Sequence, residues 1–313
     1  MGVPSRFGQI QADAFLGSAH DNSPFGKIWY VDVTNGSDGN SGEAPDEAYA
    51  SIGQAISAAV ATRGDTVVIA PGTYTITSAL APKAFMTFRA AVVNPQTPSV
   101  SIRGNIANIT TVNVDGTRFV GVEFRATGST AKDLVALASS AAVNGVTFED
   151  CVFNGNDQTA ATPNGTAGIQ LTNGSNAVTG LTIRRCVFRD LGKTCVDVGI
   201  LGLPHAKIED NAFILDTASA IGIAIADTTA FNTGKGYIIR NNDFIGGNST
   251  TSQHVGIVIA GTVNTVGAGM IRNNFFGYCA DAAVTVDKVP ASTINNYYGN
   301  NAGGVLVDSS AGA

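Results

Sequence analysis

The feature that most constrains this chain is a short pattern that recurs along its last two-thirds and ends each time in an aromatic residue. The clearest copies are residues 146–153, 181–188 and 206–213, and successive terminal aromatics lie 35, 25, 31, 32 and 22 residues apart. Those aromatics are Phe153, Phe188, Phe213, Phe244, Phe276 and Tyr298, after a weaker copy that ends at Phe124. Units of this length are too short to be domains, so the repeat predicts a stack of equivalent structural units.

Two columns of the repeat show the alternation of a strand. The residue five positions before the aromatic is apolar in Phe119, Phe148, Ile183, Ile208, Ile239 and Ile271. The next position is charged in Glu149, Arg184, Glu209, Arg240 and Arg272. An apolar residue followed by a charged one indicates a strand with one side in the core and the other in water. Because the sign changes from copy to copy, we expect the charged column to form an outward ladder of salt bridges.

A third column, two positions before the aromatic, holds small polar residues. Its members are Cys151, Cys186, Asn211, Asn242, Asn274 and Asn296. Asn tolerates left-handed backbone and bonds locally, so the column predicts a bend, and stacked copies predict a structural ladder of hydrogen bonds. Cys151 and Cys186 would then lie about 5 Å apart in neighbouring coils. That spacing allows a disulfide, although stacked, buried thiols are the interpretation that the sequence favours.

A second family of strands, made of small residues, follows the copies. It comprises residues 167–172, 195–199, 221–226, 255–261, 282–287 and 303–308. No copy has room for a helix of ten or more residues, although parallel strands normally need a helical crossover. The alternative is a solenoid whose coils stack directly. The sequence therefore predicts an all-β protein built as a single-stranded parallel β-helix.

Composition excludes several classes of function. Charged residues make up 13% of the chain, which contains 37 glycines, as suits closely stacked coils with tight corners. The net charge is −6 and no basic patch is present, so we expect no nucleic-acid partner. No apolar run approaches 18 residues, so we expect no membrane span. Nothing in the sequence indicates a cofactor.

The beginning of the chain differs from the repeats. Residues 1–27 have no periodicity and predict an N-terminal arm that makes assembly contacts. Residues 28–34 alternate as a strand, and Ser51 is placed to cap an amphipathic helix over residues 51–62, whose apolar face would consist of Ile52, Ile56 and Val60. Residues 65–75 then predict a strand and a Pro-Gly turn.

The run YVDVTNGSDGNSG…AYASIGQAISAAV…GDTVVIAPGTY resembles the opening of pectin-lyase-like right-handed β-helix proteins. The resemblance implies a right-handed solenoid with a capping strand and helix in residues 28–75 and coils over residues 76–313. Covering the apolar end of a solenoid is physically necessary, which suits an amphipathic helix at that place. Enzymes, adhesins and phage tail or capsid proteins share this fold, so it does not give the function.

Candidate chemical sites are few. The signatures of the family's hydrolases and lyases are absent, and Asp197 is a weak catalytic candidate that has no second acid in its column. A glycosidase needs two carboxylates about 5–10 Å apart, so a hydrogen-bonded structural Asp197 is the favoured interpretation. Weak candidates for a calcium site lie in one loop, although their spacing is not that of an EF-hand. They are Asp32, Asn35, Asp38 and Asn40.

Two hypotheses of function follow. The first is a non-catalytic structural protein of a phage particle, a capsid decoration, fibre or tail-associated β-helix, located in the virion. It rests on the missing secretory signal, the missing enzyme signatures and the arm of residues 1–27. The arm would bind other virion proteins, the chain would form a homotrimer or other homo-oligomer, and host glycans are a further expected contact. The alternative is a secreted or phage-borne polysaccharide lyase or glycoside hydrolase, which paired acids and exposed aromatics along one face would support.

Overall fold

The computed structural model of the chain describes residues 26–128, 132–155, 165–171, 178–198, 203–216, 220–227, 236–246, 254–261, 269–277, 279, 284–286, 292–294 and 297–299. Within these ranges the strands are numbered β1 to β28 along the chain. An α-helix, α1, spans Ile52–Ala58, and a 3-10 helix spans Pro45–Glu47. Most strands belong to three long parallel sheets, named A, B and C.

Each sheet runs along the stack in chain order. Sheet A contains β1 (Ile28–Val31), β2 (Thr66–Ile69), β4 (Thr87–Ala90), β7 (Arg118–Val120), β11 (Thr147–Glu149), β15 (Thr182–Arg184), β18 (Lys207–Glu209), β21 (Ile238–Arg240), β24 (Met270–Arg272) and β27 (Ser292–Ile294). Sheet B contains β3 (Gly72–Ile76), β5 (Val100–Gly104), β8 (Val122–Ala126), β12 (Val152–Asn154), β16 (Val187–Arg189), β19 (Ala212–Leu215), β22 (Asp243–Gly246), β25 (Phe275–Gly277) and β28 (Tyr297–Gly299). Sheet C contains β6 (Asn108–Val112), β9 (Lys132–Leu137), β13 (Gly165–Leu171), β17 (Thr194–Asp197), β20 (Ile221–Asp227), β23 (Val255–Gly261) and β26 (Val284–Val286). A short pair joins β10 (Val143–Asn144) to β14 (Val178–Thr179).

One strand from each sheet makes a coil, and each strand pairs in parallel with its equivalents in the coils before and after it. The prediction of an all-β, right-handed parallel β-helix is confirmed. The structure contains three families of strands, whereas the repeat predicts two. The terminal aromatic lies on a strand of its own in sheet B, directly after the bend that ends the sheet A strand.

Stacked aromatic rings fill the solenoid. In sheet B the ring centroids of Phe153 and Phe188 lie 4.5 Å apart, and those of Phe213 and Phe244 lie 4.6 Å apart, with rings nearly parallel. A second stack in sheet A places Phe119 between Phe88 and Phe148. The strand spacing of about 4.8 Å matches the preferred distance between offset aromatic rings. Every coil can therefore use the same residue at the same place.

The bend between sheets A and B differs from the prediction in one respect. The left-handed residue is not the Cys or Asn of the third column but the residue before it. These left-handed residues are Asp150, Arg185, Asp210, Asn241 and Asn273, with φ between 51° and 59°. The turn they make points the following side chain into the interior, where Asn242 and Asn274 are fully buried.

The buried asparagines form a continuous hydrogen-bonded stack. Asn211 Nδ2 donates to Ile183 O (3.0 Å) and to Asn242 Oδ1 (2.9 Å). Asn242 Oδ1 also accepts from the backbone N–H of Asn211 (3.0 Å). The next step repeats the pattern, because Asn242 Nδ2 donates to Ile208 O (2.9 Å) and to Asn274 Oδ1 (3.0 Å). Each amide thus satisfies its own polar atoms and ties two coils together. Asn296, the last predicted member, lies outside the described residues.

The helix of the N-terminal cap is shorter than predicted. Ser51 caps it as expected, accepting from the backbone N–H of Gln54, but α1 ends at Ala58 instead of residue 62. The cause is Asp65, whose carboxylate accepts the backbone N–H of Val60 at 2.9 Å and draws the chain out of the helix. Val60, predicted on the buried face, is 49% exposed.

Asp65 organises the rest of the cap. It is completely buried and accepts from the indole N–H of Trp29 (3.1 Å), from the backbone N–H of Lys27 (2.9 Å) and from both sides of the Arg63 guanidinium (2.6 Å). Ile52 and Ile56 of α1 are buried in the same core as β1 and β2. The helix therefore packs against the first two strands of sheet A.

Candidate functional site

The outward surface of sheet B holds an unusual concentration of polar and charged side chains. Since the Phe column of sheet B points inward, the residues on either side of it point outward. We call this surface the B face, and it consists of Ser101, Arg103, Glu123, Arg125, Val152, Asn154, Val187, Arg189, Ala212, Ile214, Asp243, Ile245, Phe275 and Gly277. Its first coils are charged and its last coils are apolar.

Glu123 lies at the centre of the charged part. Its carboxylate accepts from Ser101 Oγ (2.6 Å), Asn154 Nδ2 (3.0 Å) and Arg189 Nη2 (3.4 Å), and Arg103 Nε donates to Ser101 Oγ (3.1 Å). The side chain of Glu123 is 5% exposed, whereas that of Arg189 is 36% exposed. A buried carboxylate with this many donors is held in one orientation. It fixes the guanidinium of Arg189 at the surface of the B face.

Two carboxyl groups meet at the edge of the same face. Asp190 follows the last residue of β16, and Asp216 follows the last residue of β19 in the next coil. Burial, the charge of Asp216 and the hydrogen bond between the two carboxyl groups raise the pKa of Asp190. The nearby guanidinium groups of Arg189 and Arg125 lower it in part. Two carboxyls in contact cannot both ionise freely, so the pair retains one proton to a higher pH than a lone aspartate.

This geometry has a chemical consequence. A pair that shares one proton contains a carboxylate, which can take a proton from water, beside a carboxylic acid, which can give one to a leaving oxygen. Asp216 is exposed and Asp190 is half-buried, so the pair is open to a molecule lying on the B face. Paired acids along one face are the feature that the hypothesis of an enzyme requires. Two carboxyls in contact are closer than the roughly 5–10 Å that a glycosidase needs, so this pair is better suited to an ester bond than to a glycosidic bond.

The outward column of sheet A has a different character. Glu149 is paired with Arg118, with Arg185 and with Arg184 (2.8 Å), and Arg240 pairs with Glu209 (2.8 Å). Burial raises the pKa of Glu149, but the hydrogen bonds from Arg184, Arg118 and Arg185 outweigh that effect and lower it to about 2. A carboxylate held ionised by three guanidinium groups stabilises the stack and is unsuited to proton transfer. These contacts form the salt-bridge ladder that the sequence predicts.

Asp197, the weak catalytic candidate, is half-buried on sheet C and accepts from Gln170 Nε2 at 3.3 Å. An acid does lie near it, although in another column. Burial raises the pKa of Asp133, a hydrogen bond from Ala167 lowers it, and the charge of Asp197 raises it further. Asp197 and Asp190 lie on different sheets, so Asp197 does not join the carboxyl pair of the B face.

The four weak metal candidates are engaged in building their own loop. Asp32 accepts from the backbone N–H groups of Thr34 (2.8 Å) and Asn35 (3.1 Å) and from Asn35 Nδ2 (3.0 Å). Asp38 accepts instead from Ala50 and Ser51 at the start of α1, and Asn40 Nδ2 donates to Ala48 O. Among the described residues, no three His, Cys, Asp or Glu side chains are grouped so as to hold a metal ion.

The cysteines of the third column are stacked but not bonded covalently. Cys151 and Cys186 are free and buried, and each thiol donates to the backbone carbonyl two residues before it, at 3.3 Å and 3.4 Å. Burial and the adjacent Cys151 thiol raise the pKa of Cys186. The structure thus places these two thiols where the asparagines of later coils lie.

Comparison with solved structures reveals clear similarity at low sequence identity. The pectin methylesterase of Aspergillus niger is 15% identical over 94% of this chain and 89% of its own length, with a TM-score of 0.58. Pectin methylesterase from carrot is 12% identical over 92% of this chain and 86% of its own, with a TM-score of 0.58. The fold is that of the pectin-lyase-like β-helices. A PL6-family alginate lyase matches 90% of this chain but 41% of its own length, at 15% identity and a TM-score of 0.57.

No protein-family model and no curated protein matches the chain. At these identities the structural similarity establishes the fold and leaves the site to be argued from this chain's own residues. Within the described residues, no helix is both long and apolar enough to cross a membrane. The predicted virion contacts of residues 1–27 fall almost wholly on residues 1–25, which lie outside the described ranges. Membership of a phage particle, with virion partners and a homo-oligomeric state, stays a prediction.

Proposed function

We propose that this protein is a hydrolase of acidic polysaccharides, with Asp190 and Asp216 as its catalytic residues and the B face as its substrate surface. The observation that carries the proposal is the placement of two carboxyl groups directly after adjacent strands of a sheet that bears a column of arginines. The similar proteins named above act on polysaccharides, which supports the alternative hypothesis of a carbohydrate-active enzyme over a purely structural role.

The arginines support an anionic substrate. Arg103 and Arg125 lie in register on adjacent strands, and Arg189 lies in the same column two strands further along. Like charges so close together repel, and Glu123 supplies a compensating carboxylate to Arg189. A guanidinium group binds a carboxylate through two parallel hydrogen bonds. In a chain of net charge −6, this column is suited to the carboxylates of a uronic-acid polymer that lies along the stack.

The proposed step is hydrolysis by the pair. The ionised member takes a proton from an attacking water, the protonated member gives its proton to the leaving oxygen, and the pair ends with one proton as it began. Because the pKa of Asp190 is raised, the acid form persists above the range of an ordinary aspartate. Activity should therefore decrease as the pH rises through that raised pKa, and also at low pH, where both members are protonated.

The test is hydrolysis of polygalacturonate, alginate and methyl-esterified pectin, followed as reducing ends and as released methanol. We expect Asp190→Asn and Asp216→Asn to lower kcat by at least about 100-fold, as is usual for loss of a general acid or base. Asp46→Asn, an exposed acid in the cap, is the matched control and should retain full activity. If the wild type cleaves none of these polymers and binds none, the proposal is wrong. Equal activity of wild type and both pair variants would remove the pair from the mechanism.

A further inference from the structure

The last coils of the B face carry an exposed aromatic platform. Phe275 is 40% exposed and Ile245 is 41% exposed, whereas the Phe residues of the inward column are completely buried. Phe275 lies in register with Asp243 of the preceding strand, and Ile245 lies in register with Gly277. The same surface that begins with arginines therefore ends in apolar side chains.

The Phe275 ring lies against Gly277, which leaves room for it on the sheet. A Cβ added to Gly277 would come within 2.8 Å of Cε1 of Phe275, so any larger residue would push the ring off the surface. Gly277 is buried even though it faces outward, which shows that the ring covers it. A partly exposed aromatic ring that rests against the sheet offers a planar apolar surface to a ligand.

We infer that Phe275 is a sugar-stacking platform and forms a distal subsite for the same polysaccharide chain. The inference rests on the proposed function and adds to it a binding residue remote from the carboxyl pair. The C–H-rich side of a pyranose ring is apolar and packs on an aromatic ring, while its hydroxyl groups remain free to bond to neighbours such as Asp243. An exposed aromatic ring is suited to this ligand because the C–H groups on one side of a pyranose can all contact the same ring.

The position of Phe275 is compatible with a single polysaccharide chain that contacts both the carboxyl pair and the ring. Phe275 lies three strands along the stack from β16, which ends beside Asp190, and two strands from β19, which ends beside Asp216. Phe275 is in register with the first residues of β16 and β19, whereas Asp190 and Asp216 follow the ends of those strands. With strands about 4.8 Å apart and residues about 3.3 Å apart along a strand, the platform is roughly 16–18 Å from the carboxyl pair. An oligosaccharide that is bound at the pair must extend past several coils before it reaches the ring. Phe275 should therefore contribute to the binding of longer oligomers and leave short ones unaffected.

The experiment measures the affinity of a graded series of polygalacturonate and alginate oligomers, from the disaccharide upward, with calorimetry. For the wild type we expect affinity to increase at the length that spans the pair and the ring. Phe275→Ala should remove that increase, a loss of about tenfold for long oligomers, and leave the shortest binding oligomer unchanged. Gly277→Ala should have the same effect, because it displaces the ring and keeps Phe275. Phe85→Ala is the matched control, since Phe85 is 49% exposed and its ring also covers a glycine, Gly116, far from the B face.

Each alternative result is decisive. If Phe275→Ala binds every oligomer as the wild type does, the subsite is wrong and the proposed hydrolase stands. If the wild type binds no oligomer of either series, the proposed function and the subsite both fail. If sedimentation shows that the wild type is an oligomer and that Phe275→Ala converts it to a monomer, the ring is a contact between copies of the chain, which overturns the inference.

Discussion

Asp65 joins the chain segments that form the cap. Five donors from Lys27, Trp29, Val60 and Arg63 converge on its two oxygens, and none of its surface reaches solvent. We expect Asp65→Asn to destabilise the protein by about 3 kcal/mol, because it removes a buried charge from its guanidinium partner and replaces an acceptor with a donor. Urea unfolding measures this loss. Asp46→Asn is the control and should unfold with the wild type.

The same residue sets part of the pH dependence. Burial raises the pKa of Asp65, but the bonds from Arg63, Val60, Trp29 and Lys27 outweigh it, so the pKa lies below the ordinary value of 3.8. A lowered folded-state pKa stabilises the protein above the unfolded value, and this contribution decreases as the pH falls below that value. The difference in stability between wild type and Asp65→Asn should therefore shrink in acid. A difference independent of pH would contradict the role assigned to the ionised carboxylate.

Within a coil, the sheet A strand and the sheet B strand are joined by a bend. The buried Asn amide at this bend stabilises the stacking of neighbouring coils. Asn242 bonds to Ile208, Asn211 and Asn274, so Asn242→Leu removes these side-chain bonds and leaves the buried backbone N–H of Asn211 without its acceptor. We expect a loss of about 3 kcal/mol or more. Asn241→Gly, at the left-handed and exposed position beside it, is the control and should change stability by less than about 1 kcal/mol. Equal losses for the two variants would show that the bend, and not the ladder, is what stabilises the coil.

The strands of the fold could be predicted because the residues of one repeat column occupy the same environment in successive coils. The residues of the repeat columns that contain Phe213 and Ile208 face the core in every described coil. Apolar side chains therefore recur at these two positions and reveal the strands. The end of α1 could not be predicted in this way. Its periodicity continued to Val60, and a hydrogen bond from Val60 to Asp65, which lies outside the helical pattern, ended the helix at Ala58.

The carboxyl pair of the candidate site could not be predicted from the repeat columns, for a geometrical reason. Asp190 stands two positions after Phe188, whereas Asp216 stands three positions after Phe213, so alignment on the aromatics puts the two acids in different columns. Strand β19 is one residue longer than β16, so both acids directly follow the last residue of a strand. The arginines were visible in principle. Arg125 and Arg189 each follow a terminal aromatic, one position beyond the columns that reveal the strands.

At the scale of the whole molecule, the solenoid places its four cysteines in separate environments of one continuous core. Cys151 and Cys186 lie at successive bends, Cys195 lies on sheet C, and Cys279 follows β25. Burial raises the pKa of Cys186 and of Cys195, and it raises that of Cys279 to about 12. Since the thiolate is the reactive form, these side chains should be inert while the coils remain stacked.

Thiol labelling therefore detects the opening of the solenoid. It also distinguishes the two states that the sequence allows for Cys151 and Cys186, which are buried free thiols and a disulfide. In the absence of reductant, the native protein should react with Ellman's reagent no faster than it unfolds, and all four thiols should react once it is denatured. The melting temperature should be the same with and without dithiothreitol, because no covalent link between coils is present to be reduced. If instead two thiols react after denaturation and the reductant lowers the melting temperature, the two cysteines form a disulfide. Neighbouring coils would then be joined by a covalent bond at the place where the later coils use an amide.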